Sequence, residues 1–417
     1  MNRVILGEGC YLEGGIGKTR PNDNVFVVGS SGSGKSTSTE LPTELENDNT
    51  STILTQSKPE EGRKLANYIR KKGKRVEILD FDIPSRSTVT FDPLQYVESY
   101  QDVENLARNI VMADPNAMIT KDFYWNDGAI NLIYALMLAT MIMIDNATMR
   151  DVLELFDSFT IKEDGKGITT SLDELFDNIE MIEGACPAVN AFKDYTMLPY
   201  TTAGCQRDSI ARALRKVFPE SIRQMMRGEK LIDFEAFANE KTLLMIITSP
   251  VKTSSYFFVN LMFSTAIKQL LEFSQRCEGQ RLPHPVRLVF DDFACGARIN
   301  DFPKHISVFR SAGISAMMLV QSESQLREMY TEAESETIIN NCSVYVYFPG
   351  GMDLITCKHI SQRLDVPLTD ILYAPMGDVI VMQSSRKPVW TKRYDTFNSR
   401  EYKEFIRATE NHKASER

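Results

Sequence analysis

The chain has 417 residues, 47.3 kDa, 43% of them hydrophobic; that is enough for two or three domains with full cores and excludes a small stapled peptide or a disordered tail. Lys and Arg number 47 against 56 Asp and Glu, so at a net charge of −9 the surface does not coat nucleic acid by charge alone, and any such contact must be local. The seven cysteines, at 10, 186, 205, 277, 295, 342 and 357, form no C-x-x-C pair and fit a reduced cytosolic chain, while four scattered histidines without H-x-x-x-H spacing predict no structural zinc.

Met1 to Leu12 carries only a short apolar run before Gly7, too short for a signal-peptide core or an anchor. Strand signals then follow at Asn24–Val28, Ser51–Thr55 and Arg75–Leu79, and again at Thr242–Thr248, Val286–Phe290, Ala316–Val320, Val344–Phe348 and Val379–Gln383. They are continuous apolar runs with helix-length spacers, the pattern of a parallel sheet buried on both faces, and they predict an α/β fold.

From about Ser99 to Gly228 the periodicity is helical, as at Val103, Leu106, Ala107, Ile110 and Val111, with no convincing strand; this predicts an all-helical insertion. Its longest apolar stretch, Ala129 to Ile144, would span about 24 Å as a helix, short of a ~30 Å hydrocarbon core, and is read as a buried bundle helix. Asp145 to Glu183 is acidic; Arg63 to Arg75 and Arg207 to Lys230 are basic but lack interleaved aromatics, and are read first as solvated helix faces. The predicted organisation is a nucleotide-binding domain in two parts, 1–98 and 231–407, an all-α insertion at 99–230, and a flexible tail at 408–417.

Gly29-Ser30-Ser31-Gly32-Ser33-Gly34-Lys35-Ser36 matches G-x-x-x-x-G-K-[ST] in full, directly after the strand Val25–Val28. The glycines let the backbone wrap a phosphate chain so that successive amides, and the start of the helix at Ser36 and Thr37, face its oxygens. Lys35 is placed to reach the β and γ phosphates and the Ser36 hydroxyl to ligate Mg²⁺. Gly17-Lys18-Thr19 imitates the end of this motif, but Leu12 stands where its first glycine belongs.

Arg287-Leu288-Val289-Phe290-Asp291-Asp292 is an apolar strand ending in two carboxylates, the form of a Walker B element. Asp291 would hold the Mg²⁺ shell and Asp292 would act as general base on the attacking water. Gln321, at the tip of Ala316–Val320, is the candidate γ-phosphate sensor, and Arg310 is either an arginine finger for a neighbouring subunit or a surface helix arginine.

With these motifs in place the chain resembles the VirD4/TraG type IV secretion coupling proteins, the DNA-pumping ATPases of conjugation. The resemblance rests on Lys18-Thr19-x-x-Asn22-x-Asn24-Val25, Pro42 after Lys35, Phe123-Tyr124-Trp125 before the long apolar helix, and Asp291-Asp292-Phe293-Ala294 against the family's D-E-F-A. Arg310-Ser311-x-Gly313-Ile314-Ser315, Gln321-Ser322-x-x-Gln325-Leu326 and Ile339-x-Asn341-Cys342 complete it. It implies a RecA-like P-loop NTPase domain with an inserted all-α domain, ATP and Mg²⁺ as ligands, a homo-hexameric ring with Arg310 as finger and Gln321 as strand-end glutamine, and single-stranded DNA and a relaxase as cargo.

Three departures stand out. No transmembrane anchor precedes the first strand, so the expectation is a cytoplasmic chain that is either a naturally soluble variant or one recruited to the inner face of the membrane through the secretion channel or a membrane-anchored companion. Asp292 replaces the family glutamate with a side chain one methylene shorter, and Gln56-Ser57-Lys58-Pro59 stands where the family has Asp-Pro-Lys. Two alternatives accompany the motor reading: a weakly hydrolysing nucleotide-binding cargo adaptor, and a duplex-DNA pump of the FtsK or HerA type.

Overall fold

The computed structural model describes residues 3–13, 22–47, 49–112, 123–163, 165, 167–249, 255–293 and 298–415. Its strands are β1 (Arg3–Gly7), β2 (Cys10–Glu13), β3 (Val25–Gly29), β4 (Ser51–Gln56), β5 (Arg75–Asp80), β6 (Ile161–Glu163), β7 (Ile168–Thr170), β8 (Thr242–Ile247), β9 (Val286–Phe290), β10 (Ile314–Val320), β11 (Val344–Phe348), β12 (Asp378–Gln383) and β13 (Val389–Lys392). Nine of them form one sheet in the order β13-β12-β11-β3-β10-β9-β4-β8-β5. From β11 to β5 every pairing is parallel, and only β12 runs against the rest, antiparallel to both β11 and β13.

The eight runs of the sequence pattern are therefore the seven inner strands and the edge strand β5, and every residue of β3, β4, β8, β9, β10 and β11 is buried. Continuous burial follows from helices covering both faces, which leaves no polar side for alternation to mark. On one face Val25, Val27, Met245, Ile247, Met317, Leu319, Val344 and Val346 share a core with Val4, Leu65, Ile69 and Phe405. The helix Pro59–Lys71 supplies Leu65 and Ile69, one turn apart.

The strands missing from the sequence pattern are short or peripheral. The β1–β2 hairpin pairs with itself, and β13 is an edge strand with mostly exposed side chains. The β6–β7 hairpin corrects the expectation of an insertion without strands; its three-residue arms are too short for a period of two to register. The helix Arg400–Ser415 runs into the stretch expected as a flexible tail. Tyr402, Phe405 and Ile406, at i, i+3 and i+4, give it an apolar face, and Phe405 meets Tyr68 edge-on at 5.4 Å between centroids.

The chain divides into two compact units, one of Met1–Val89, Asp233–Thr253 and Ala266–Arg417, which holds the large sheet, and one of Thr90–Ile232 and Ser254–Thr265. In the second, Thr90 bridges Leu231, and Phe258 takes edge-to-face contacts from Phe91 and Phe218. Its central helix, Phe123–Met143, contains a window, Asn126–Met143, of mean hydropathy 1.3, long and apolar enough by composition to cross a membrane. Leu132, Ile133, Ala135, Leu136, Met137 and Ala139 are nevertheless wholly buried within the unit, as in a bundle core.

Candidate functional site

Parallel pairing brings the carboxyl ends of β3, β10, β9 and β4 to one edge of the sheet, where open α/β sheets carry their ligand crevices. The registers Val320↔Val28, Met318↔Phe290 and Thr55↔Phe290 set Gln321 beside Gly29 and Gln56 beside Asp291, with Gln321 two residues beyond the position opposite Asp291. Between Gly29 and Lys35 the chain turns on Gly32 (φ 76°) and Gly34 (φ 94°), a left-handed region that favours glycine. The Lys35 ammonium folds back to donate to the carbonyls of Gly29 (2.5 Å) and Ser30 (3.1 Å), and Ser33 closes the loop by bonding from its N–H to the carbonyl of Ser30 at 3.2 Å.

The segment Ser36–Glu40 winds as a π-helix, the N–H of Leu41 reaching the carbonyl of Ser36. Pro42 has no N–H to continue a regular ladder, which accounts for the wider turn. Ser36 donates its hydroxyl to Asp291 Oδ1 at 2.8 Å, and Ser57 donates to Asp291 Oδ2 at 2.9 Å. The Thr55 hydroxyl accepts the N–H of Asp291 at 3.0 Å, so strand β4 fixes the carboxylate from below.

Asp292 adopts φ 62°, a left-handed conformation that costs an ordinary L-residue about 1–2 kcal/mol. The turn is held because the N–H of Phe293 returns to the carbonyl of Leu319 on β10 at 2.7 Å. It turns the Asp292 carboxyl toward Gln321, which favours its ionised form. Burial and the charge of Asp291 push Asp292 above the usual carboxylate range, against Lys35 and Gln321. Burial lowers Lys35, with Asp292 and Asp291 opposing. Lys35, Ser36, Asp291, Asp292 and Gln321 thus form one constellation; Ser322 and Gln325 shape the last corner, Gln325 accepting the N–H of Gln321 at 3.1 Å.

Arg310 is not brought to it. It is exposed on the short helix Phe309–Ala312 before β10, whereas Gln321 follows that strand's other end, about 23 Å away at the usual strand rise. Of the remaining motif residues, Asn24 is architectural: it donates to the carbonyl of Asn341 and accepts the N–H of Ala316, both at 2.9 Å, which ties the start of β3 to its neighbours. Lys18, Thr19 and Ala294 lie outside the described residues, and Phe123, Tyr124 and Trp125 open the helix Phe123–Met143. Arg63 of the basic stretch is occupied by Asp80 (2.8 Å), Asp82 (2.7 Å) and Glu60 (3.0 Å).

Sequence reasoning missed Ser57, Glu40 and Arg393. Glu40 is wholly buried one helical turn beyond Ser36; burial raises its carboxyl well above normal, with Asp291, Glu44 and Asp292 adding to the rise. It accepts a long bond from Gln56 at 3.4 Å, while its Oε2 has no partner. The i, i+4 spacing from Ser36 was the available signal. Arg393 donates to the carbonyl of Ser33 at 3.1 Å from 360 residues away, a separation no local pattern announces.

A parallel sheet with this loop after β3 and paired acids after β9, one strand away, defines a RecA-like P-loop NTPase. The family model for type IV secretory system conjugative DNA transfer matches residues 4–365, and the chain belongs to that family. Among solved structures it resembles the bacterial conjugative coupling protein TrwBΔN70 in a trigonal form with sulphate (16% identity, TM-score 0.66, 89% of this chain and 85% of that one). It resembles the plasmid coupling protein TrwB in complex with ADP and Mg²⁺ to the same degree, at 16% identity and TM-score 0.66 over 89% and 85%. VirB4 of Thermoanaerobacter pseudethanolicus is similar at 12% identity and TM-score 0.56, over 94% of this chain and 96% of that one. Comparison with curated proteins gives no match.

Proposed function

We propose that the protein is the ATP-driven coupling protein of a conjugative type IV secretion system, which recruits a relaxase-bound DNA strand and moves it by hydrolysis in a homo-hexameric ring. The observation that carries this is the bond of Ser36 to Asp291 beneath a complete phosphate loop, with Lys35, Asp292 and Gln321 converging on the same edge. The loop fits a phosphate chain: the Ser33 hydroxyl is buried without a partner, and a hydroxyl and a carboxylate meet where a hard cation would sit. Ser36 and Asp291 would hold Mg²⁺, which neutralises phosphate charge when bound. Lys35 binds the terminal phosphates, Asp292 takes a proton from the attacking water, and Gln321, beside Asp292, orients that water. Single-stranded DNA meets channel-facing loops, and the secretion channel or a membrane-anchored companion recruits this cytoplasmic chain to the membrane.

The test is ATP turnover by the full chain with and without single-stranded DNA. Lys35→Ala and Asp292→Asn should each lower kcat by about 10²-fold or more. A wild type that hydrolyses no faster than these variants in any assembly state removes the motor reading.

The left-handed backbone at Asp292 favours one second reading, a nucleotide-gated cargo adaptor with slow turnover. A large rate gain in Asp292→Glu identifies a weakened site, and a loss identifies a turn adapted to aspartate.

A further inference from the structure

After β13 ends at Lys392, the chain crosses the phosphate loop. Arg393 is anchored by its own N–H to the carbonyl of Gly377 at 2.9 Å, and its Nη1 donates to the carbonyl of Ser33 at 3.1 Å. A Cβ built on Gly34 would stand 2.9 Å from that Nη1 and 3.0 Å from Arg393 Cδ, so the side chain lies directly on the glycine. Three residues further on, buried Thr396 donates its hydroxyl to the carbonyl of Thr37, in the first turn after the loop. Residues 393–396 therefore grip the loop at two points, and the β12–β13 pairing, with Asp378 opposite Lys392, sets where they cross.

A trans peptide carries its C=O and N–H on opposite sides. Whatever holds the carbonyl of Ser33 outward also turns the N–H of Gly34 inward, to the side where the loop receives phosphate. Gly34, at φ 94°, would otherwise leave this peptide free to rotate, and ordering it on binding would weaken affinity.

We propose that Arg393 is a positioning residue of the nucleotide site: it fixes the Ser33–Gly34 peptide with its N–H presented to the phosphates before nucleotide arrives. The inference rests on the nucleotide-binding reading above and adds that the terminal hairpin sets phosphate affinity. It makes no use of a contact between Arg393 and the nucleotide.

Arg393→Met keeps the bulk over Gly34 and removes the donor; Arg393→Lys returns one. In the full-length, nucleotide-free protein, hydrogen exchange in the 29–38 segment should quicken in the Met variant and recover in the Lys variant. Affinity for ADP with Mg²⁺, by calorimetry, should fall about tenfold in the Met variant and return to within about threefold in the Lys variant, the scale of one hydrogen bond. ADP affinity within twofold of wild type in the Met variant, or unaltered exchange in the loop, overturns the proposal, Lys35→Ala serving as the control that binding is read. A folded wild type that binds no ADP overturns the nucleotide reading and this one with it. Should Arg393→Met not fold, Arg393→Leu, which likewise lacks a donor, takes its place: quicker exchange and about tenfold weaker ADP binding support the grip, and exchange and affinity near wild type overturn it.

Discussion

Asp92 shows how far burial can move a single carboxyl in this protein. It is buried in the helical unit, where Oδ1 accepts the N–H groups of Leu94 and Met149 and Oδ2 that of Met149, all at 3.0 Å. Burial outweighs these bonds and pushes its pKa up to about 6. A carboxyl raised in the fold binds its proton more tightly folded than unfolded. Its contribution to stability is therefore largest below the unfolded value near 4, is lost as pH rises to about 6, and is constant above, a span worth about 3 kcal/mol. Asp92→Asn keeps an acceptor but cannot ionise. The difference in melting temperature, wild type minus Asp92→Asn, should fall as pH rises from about 4 to 6; a flat difference would count against the assignment. Asp92 was invisible as a special residue in the sequence, because its setting depends on Met149, which is distant along the chain and brought close only by folding.

At the scale of elements, the phosphate loop depends on how β3 lies against β11. Phe348 pairs with Gly29, and a Cβ on Gly29 would stand 2.7 Å from Phe348 Cβ and 2.8 Å from its carbonyl oxygen. Backbone cannot step aside as a flexible side-chain tip does, so Gly29→Ala should cost about 1–3 kcal/mol by overpacking and weaken nucleotide binding, both measurable by thermal melts with and without ADP. Thr396→Val should leave the strands intact and cost about 1 kcal/mol through the lost bond to Thr37, checked by denaturant unfolding. The inner strands and the loop were legible because burial on both faces gives unbroken apolar runs and because a phosphate cradle needs glycines at fixed spacing. The hairpin β6–β7 and edge strand β13 were not, since three or four residues with exposed side chains carry no period.

For the whole molecule, the separation of Arg310 from Gln321 by the length of β10 has a consequence for assembly. An arginine at the far end of the sheet is out of reach of its own subunit's nucleotide, so the finger role proposed for Arg310 requires a head-to-tail contact with a neighbouring subunit. Lys35→Ala retains the finger and Arg310→Ala retains the loop. Each variant alone should be inactive, and an equal mixture should recover about a quarter of wild-type turnover by random neighbour pairing. Mixtures no more active than either variant would exclude a shared site. The acidic balance of the chain is compatible with such a ring, because only loops facing the channel need to meet phosphate.

The sequence by itself determined the sheet's inner strands, the phosphate loop and the acidic strand end, since each is written in contiguous residues whose spacing follows from backbone geometry. Tertiary structure alone decided that Ser57, Glu40 and Arg393 surround that loop, that Asp292 faces Gln321 from a left-handed turn, and that Arg310 stands apart. Those relations join residues far apart in the chain, and the order in which the parallel strands pair brings some of them together and keeps others separate.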